Sequence, residues 1–212
     1  MYAIWKADYQ ILGEGSSLSW TYNNANTIKY FAYNPTTYKF YASNVSITEY
    51  TQFKLYDNTT WKEAQDVTGS PKFINGEGTA NISIRYGTYN IYLDNSWKIH
   101  IDIVSIRIYL DATNYSPSGS RFAIYDGSWI NMTLDSGKVY YADLTSSQYS
   151  SCKSLIIFCR MNSSGTNDWS NCSKQTYDYF LNDSGNEGKN KFTITNESTG
   201  DLGRAVGNWG YK

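Results

Sequence analysis

Polar and apolar residues alternate along most of this chain, and the period is two rather than the 3.6 of a helix. The clearest stretch is residues 97–103, where Ile99, Ile101 and Ile103 share one face and Lys98, His100 and Asp102 the other. That is the pattern of a half-buried strand. Ahead of it, Ala80–Ile84 and Thr88–Leu93 alternate in the same way around a turn at Tyr86-Gly87, and Asp94-Asn95-Ser96 supplies the next turn. Residues 80–103 are therefore expected to form consecutive strands joined by tight turns.

After Ile103 the pattern starts anew, with Ser105–Leu110, Arg121–Tyr125, a turn at Asp126-Gly127, and Trp129–Leu134. No helical periodicity lasts longer than a turn or two. The expectation is an all-β protein of two tandem β-sandwich modules, residues 1–103 and 104–212. Only Val104 separates them, with no Pro/Gly/Ser linker, so they should abut and be rather rigid with respect to each other. A faint repeat agrees. Tyr38-Lys-Phe-Tyr-Ala42 recurs as Lys138-Val-Tyr-Tyr-Ala142, and each is followed by a strand, Gln52–Tyr56 or Leu155–Phe158, and a polar loop ending in Trp61 or Trp169. The offset is about 100 residues, and convergence of a strand-loop-Trp pattern would produce the same match.

Composition adds a surface to this scaffold. Of 212 residues 17% are aromatic, with 21 Tyr, 7 Trp and 8 Phe, in a background of Asn, Ser, Thr and Gly. More rings are present than a core requires, and they sit on polar strands and turns. Such rings suit a flat, weakly polar, uncharged partner, and sugar rings are the leading candidate, because their C–H faces pack on Trp and Tyr while amides bond their hydroxyls. A charged fraction of only 17% and a mean hydropathy of −0.53 fit an extracellular β-protein. A net charge of −1, a pI near 5.8 and the absence of any like-charge block argue against nucleic acid. No run of about 18 apolar residues occurs, so no membrane span is expected. Lys6, Asp8 and Gln10 interrupt the opening segment, so a signal peptide is not expected in it, and Met1 is read as an artificial start or a cut point in a longer protein.

The candidate binding residues are aromatic. Tyr125 and Trp129 flank the Asp126-Gly127 turn, where a ring can be exposed while keeping a packing role. The competing reading makes Trp129 the buried Trp of a sandwich, with Ile130 and Met132 facing outward. Trp61 and Trp169 each end a polar loop, and each either binds or merely closes an apolar patch beneath its loop. Lys62, Gln65, Lys174 and Gln175 lie within reach of sugar hydroxyls in either case.

Catalysis finds little support. The single His100 sits on a regular strand, and no Gly-x-Ser-x-Gly elbow places a nucleophile, so no enzyme, catalytic residue or cofactor is expected. Paired carboxylates for glycoside hydrolysis are a three-dimensional matter, but compact sandwiches rarely enclose the long cleft they use. Zinc is not expected, since the spacings of Cys152, Cys159 and Cys172 match no paired-ligand motif. A hairpin centred near Gly165 would bring Cys159 roughly opposite Cys172, which allows a disulfide; a buried thiol is the alternative. Asn182–Gly188 has the oxygen-rich look of a calcium loop but lacks the spacing and closing Glu of an EF-hand, and is read as a structural turn. Sequons at Asn44, Asn81, Asn131, Asn171 and Asn196 are the chance product of an Asn/Ser/Thr-rich chain.

A family resemblance joins these pieces. Phe122-Ala-Ile-Tyr125, Trp129-x-x-Met132-Thr133, Val139-Tyr140, Ile157–Asn162, Asp168-Trp169, Gln175-Thr176 and Gly207-Asn-Trp209 together resemble the starch-binding type of carbohydrate-binding module, found beside bacterial amylases and in starch-adherence proteins. The resemblance covers residues 105–212. The first half is similar, more loosely, to the immunoglobulin-like modules that accompany such proteins, through Phe53–Asp57 before Trp61 and Asn81–Leu93. Their opening glycine before a Trp-containing turn is only approximately met by Gly13, Gly15 and Trp20.

The resemblance implies immunoglobulin-like sandwiches that dock α-glucan on exposed aromatics, with Tyr125 and Trp129, and also Tyr109, as the platform. It also favours thiols over a disulfide at Cys159 and Cys172. The expected role is non-catalytic binding of starch or a related α-glucan, as a piece of a larger secreted or cell-surface bacterial protein. A structural or adhesive module of a surface fibre, self-associating through strand edges and Tyr contacts, is the alternative from another class. A lectin for a different glycan is a third.

Overall fold

The computed structural model describes residues 9–22, 32–34, 39–68, 81–114, 121–181, 189–196 and 204–212. The protein is mostly β-strand, arranged in several largely antiparallel sheets, and it divides into two compact units, residues 1–104 and 105–212. Among the described residues no helix is long and apolar enough to cross a membrane.

The strands of the first unit are β1 (Gln10–Glu14), β2 (Ala32–Asn34), β3 (Lys39–Ile47), β4 (Thr51–Tyr56), β5 (Trp61–Lys62), β6 (Ile82–Ile84) and β7 (Gly87–Leu93), leading into β8 (Ile99–Asp111). One sheet pairs β1, β5 and β6 with β4, and the other runs β2, β3, β7 and β8. The alternation predicted for β4 and β7 is realised residue by residue. Thr51, Phe53 and Leu55 are buried while their neighbours are half-exposed, and Tyr89, Ile91 and Leu93 repeat the arrangement on β7. Gly13 lets β1 pass close to β4, since a Cβ there would collide with the Gln52 carbonyl oxygen. The fully buried Tyr89 donates its hydroxyl to the Arg85 carbonyl at 2.9 Å, tying the strand to the turn four residues upstream.

β8 departs from expectation. The interruption at Val104 predicted two strands, yet the backbone runs straight through, and what changes is the phase of burial. Ile99 and Ile101 are buried before Val104, and Ile106, Ile108 and Leu110 after it. A phase change in the side-chain pattern therefore imitated a strand end.

In the second unit the strands are β9 (Arg121–Tyr125), β10 (Trp129–Asn131), β11 (Thr133–Ser136), β12 (Val139–Thr145), β13 (Ile157–Met161), β14 (Cys172–Gln175), β15 (Lys191–Asn196) and β16 (Val206–Gly210). Residues 105–111 of β8 pair with β12, and Lys191–Thr193 of β15 lie parallel to Tyr109–Asp111, with β16 beyond β15. A separate sheet runs β10, β9, β13, β14. The core holds Ile106, Ile108, Leu110, Phe122, Ile124, Leu144 and Ile194, with Phe158 stacked on Phe192 at 5.0 Å and Phe192 edge-on to Trp209 at 5.3 Å. The all-β architecture is sandwich-like in character.

A short helix, α1 (Ser146–Cys152), follows β12. It is announced by Thr145 and Gln148, which form a capping box: Gln148 N–H bonds Thr145 Oγ1 at 3.3 Å and Thr145 N–H bonds Gln148 Oε1 at 2.9 Å.

Replacing Tyr89 with Phe removes one buried hydrogen bond and leaves the Arg85 carbonyl without it. Urea unfolding of the variant is expected to show a loss of about 1–2 kcal/mol with the far-UV spectrum unchanged.

Candidate functional site

β13 lies between β9 and β14, and Ile157, Phe158, Cys159 and Met161 are all buried. A strand buried on both faces needs a cover on each. Phe158 contributes to the main core, while Ile157, Cys159 and Met161 join Ala123 in a smaller cluster on the other face. Against this cluster pack Tyr125, Trp129, Leu155 and Cys172.

The rings arrive by two routes. Trp129 stands directly opposite Tyr125 in the β9–β10 ladder, with Tyr125 opposite Ile157 in the next. The intervening turn is set by Asp126, whose carboxylate accepts from the Ser128 N–H at 3.0 Å and its hydroxyl at 2.9 Å. Trp169 comes from the loop after β13. Its centroid lies 4.7 Å from Tyr125 and 4.9 Å from Trp129, which are themselves 5.0 Å apart. Three of the predicted aromatics thus form one cluster, the planes crossing at 58–63°. Trp169 is 47% exposed, and Tyr125 and Trp129 are half-buried. The alternative placing of Trp129 is overturned, since Ile130 and Met132 are the residues that go inward.

The loop is held by polar contacts rather than by burial. Arg121, at the start of β9, donates Nη1 to Asn167 Oδ1 at 2.6 Å, Nη2 to the Gly165 carbonyl at 3.0 Å and Nε to the Asn162 carbonyl at 3.3 Å. Asn167 Nδ2 bonds Asn131 Oδ1 on β10 at 2.8 Å. Gly165 has φ +107°, and a Cβ there would meet the Asn171 amide at 3.0 Å, so the tight bend requires glycine. Asp168 caps a single 3-10 turn, Trp169–Asn171, accepting from Ser170 Oγ at 2.6 Å, Thr166 Oγ1 at 2.8 Å and Asn171 N–H at 2.9 Å. These donors, Ser170 first, hold its carboxyl down at about 2, below the ordinary 3.8.

The remaining predicted residues fall elsewhere. Gln175 lies on β14 opposite Cys159, half-buried. Tyr109 is 2% exposed, with Tyr141 at 6.2 Å and the Lys212 ammonium 4.1 Å from its ring, so it offers no face to a ligand; this corrects its placement on the platform. The cause is its position inside β8, paired to β12 and also flanked by β15. Trp61, in the first unit, is 41% exposed and stacks on Tyr56 at 4.0 Å and 19°, with Tyr22 edge-on to Tyr56. Trp97, not anticipated as a site residue, is exposed as well, 5.8 Å from Phe40.

His100 bonds Asp94 Oδ2 at 2.8 Å and stacks on Tyr92 at 4.6 Å and 3°. Both Cys159 and Cys172 are free thiols, the Cys172 S–H donating to the Lys174 carbonyl at 3.3 Å. Among the described residues no group of three or more His, Cys, Asp or Glu is placed to hold a metal, and Asn182–Gly188 lies outside the described residues.

Sequence reasoning passed over Arg121 and the cover on the outer face of β13. The cover had a signal, the unbroken apolar run Leu155–Cys159, which a sheet with one wet face would not carry; Arg121, whose bonds reach residues more than forty positions away, had none. No family model matches the chain, and no curated protein or solved structure matches it.

The depressed Asp168 carboxyl sets a pH dependence. Its stabilising contribution is complete above the ordinary value of 3.8 and is lost as pH falls through about 2. Tryptophan emission, compared between the protein and a Trp169→Phe variant, is expected to hold its Trp169 component down to about pH 4 and to change below it. Asp168→Asn should abolish that acid-range change.

Proposed function

We propose that this chain is a non-catalytic carbohydrate-binding protein, built of tandem immunoglobulin-like sandwiches, that engages starch or a related α-glucan. The observation that carries the reading is the half-exposed cluster of Tyr125, Trp129 and Trp169, with the outer face of Trp169 open to solvent. An indole face in water loses little in accepting the C–H face of a pyranose, and the rings beneath keep it from turning away. Exposed Ser128, Asn131 and Ser170 border the cluster with neutral hydroxyl and amide groups, the partners that sugar hydroxyls use.

The tilt of the rings bears on the kind of glycan. Planes crossing at 58–63° offer no level shelf for a flat crystalline polymer face. They suit a curved chain, and α-glucans curve. For the immunoglobulin-like fold, the support is the Tyr89 hydroxyl bound to the Arg85 carbonyl, the tyrosine corner that recurs in Greek-key sandwiches. The engagement of His100 with Asp94 and Tyr92 gives the histidine a structural role and supports a non-catalytic reading. Exposed Trp61 on Tyr56 gives the first unit a ring pair of its own, and two weak contacts in one chain raise retention on a polymer through effective concentration. The low charge and aromatic surface fit a part of a secreted or cell-surface protein.

Native gels cast with and without soluble amylopectin test the proposal. The protein is expected to be retarded by the polysaccharide, and Trp169→Ala and Trp129→Ala to bind at least about tenfold more weakly, the equivalent of ~1.4 kcal/mol. Trp61→Ala should lose a smaller part. Unretarded wild-type protein overturns the assignment to α-glucan.

A further inference from the structure

We propose that Cys159 and Cys172 are a thiol pair that closes, by exchange with an external disulfide, into a bond tying β14 to β13 at the root of the loop carrying Trp169. Three observations meet here. First, both side chains pack in one cluster beneath Tyr125 and Trp129, on the same face of the β13–β14 pair. Second, the register brings this about. Cys172 faces Met161 and Gln175 faces Cys159, with an irregularity between Arg160 and Met161 that leaves Ser173 without a ladder partner. This extra residue on β14 draws Cys172 along the strand toward Cys159.

Third, the two thiols differ in the way an exchange reaction needs. Cys159 is fully buried, whereas Cys172 is partly exposed and is the one an incoming disulfide meets. The neighbouring Cys159 thiol holds the Cys172 thiol below its ordinary range, against the opposing effect of burial and with help from the Arg160 charge. The third cysteine is set apart. Cys152 is buried on α1, 4.0 Å from Asp126 Oδ2, and burial together with that carboxylate raises its thiol to about 12.

The chemistry balances with glutathione disulfide as oxidant. The Cys172 thiolate attacks one sulfur of glutathione disulfide; that S–S bond breaks, and one glutathione leaves with the electron pair and takes a proton. The Cys159 thiol, which its Cys172 neighbour and burial push up, attacks Cys172 Sγ as its proton passes to the sulfur of the leaving glutathione. The second glutathione then departs as a thiol. Two protein thiols are oxidised and one glutathione disulfide is reduced to two thiols. The closed ring contains the whole Arg121-clamped loop, so Trp169 becomes held covalently at one end and by hydrogen bonds at the other. Nothing in this depends on what Trp169 binds.

The test uses the full chain in glutathione buffers poised from reducing to oxidising. Maleimide-reactive thiols, counted after unfolding, are expected to fall from three to one. The intact mass should drop by two hydrogens, and a non-reducing digest should yield a single linked peptide pair joining Cys159 to Cys172. Cys152→Ser should still close, while Cys172→Ser should keep both of its remaining thiols. Proteolysis within residues 162–168 should be slower in the oxidised form, with the reduced rate restored by a dithiol. Three thiols persisting at the oxidising end, a linkage through Cys152, a mixed glutathione adduct that never resolves, or an unchanged proteolysis rate overturns the proposal.

Discussion

A strand in the middle of a sheet that is apolar on both faces must be covered twice, and β13 imposes this requirement on the second unit. On one face Phe158 stacks on Phe192, which meets Trp209 edge-on in the main core. The other has only small or slender residues, Ala123, Ile157, Cys159 and Met161, with Tyr125, Trp129, Leu155 and Cys172 packed against them. Burying such side chains is worth roughly 25 cal/mol per Å² of apolar surface, so leaving the face wet would cost the fold several kcal/mol. Rings from the β9–β10 hairpin and from the following loop supply the cover. The aromatic cluster is thus first a structural lid, and its exposed outer side comes as the remainder.

This dual use explains why the loop is built as it is. A lid made of one indole on a flexible segment would lose most of its benefit to chain entropy. Here Arg121 fixes three points along the segment and Asp168 fixes the turn that carries the ring. Both charges stay near solvent, so neither incurs the desolvation of a buried ion, and the order comes from hydrogen bonds with short, well-aligned donors.

The class of fold was legible from periodicity, because β4 and β7 are one-sided strands whose buried positions repeat every second residue. The capping box at Thr145 is equally local, a matter of residues three apart, but it was passed over because the α1 helix it starts is too short to show a period. What periodicity could not convey was continuity in β8, where the buried positions change phase while the backbone does not. Tyr109 was unreadable for a related reason. Its burial depends on β15 and on Lys212, residues about eighty to a hundred positions away, and no local pattern records them. Tyr125, Trp129 and Trp169 could each be singled out as rings beside turns, but their meeting required the β9–β13 register and the Arg121 clamp.

The parallel pairing of β15 with β8 has a consequence for the order of assembly. The paired residues are separated by about eighty positions, and closing so long a loop before any local contact rewards it makes this a late, slow step. Until residues 191–193 arrive, the edge of β8 at Tyr109–Asp111 stands open, its backbone groups available to a wrong strand. During synthesis the hairpins of the β9–β13 sheet have time to form while that edge waits, so crowding by neighbouring nascent chains should threaten the β8 edge before it threatens the aromatic lid.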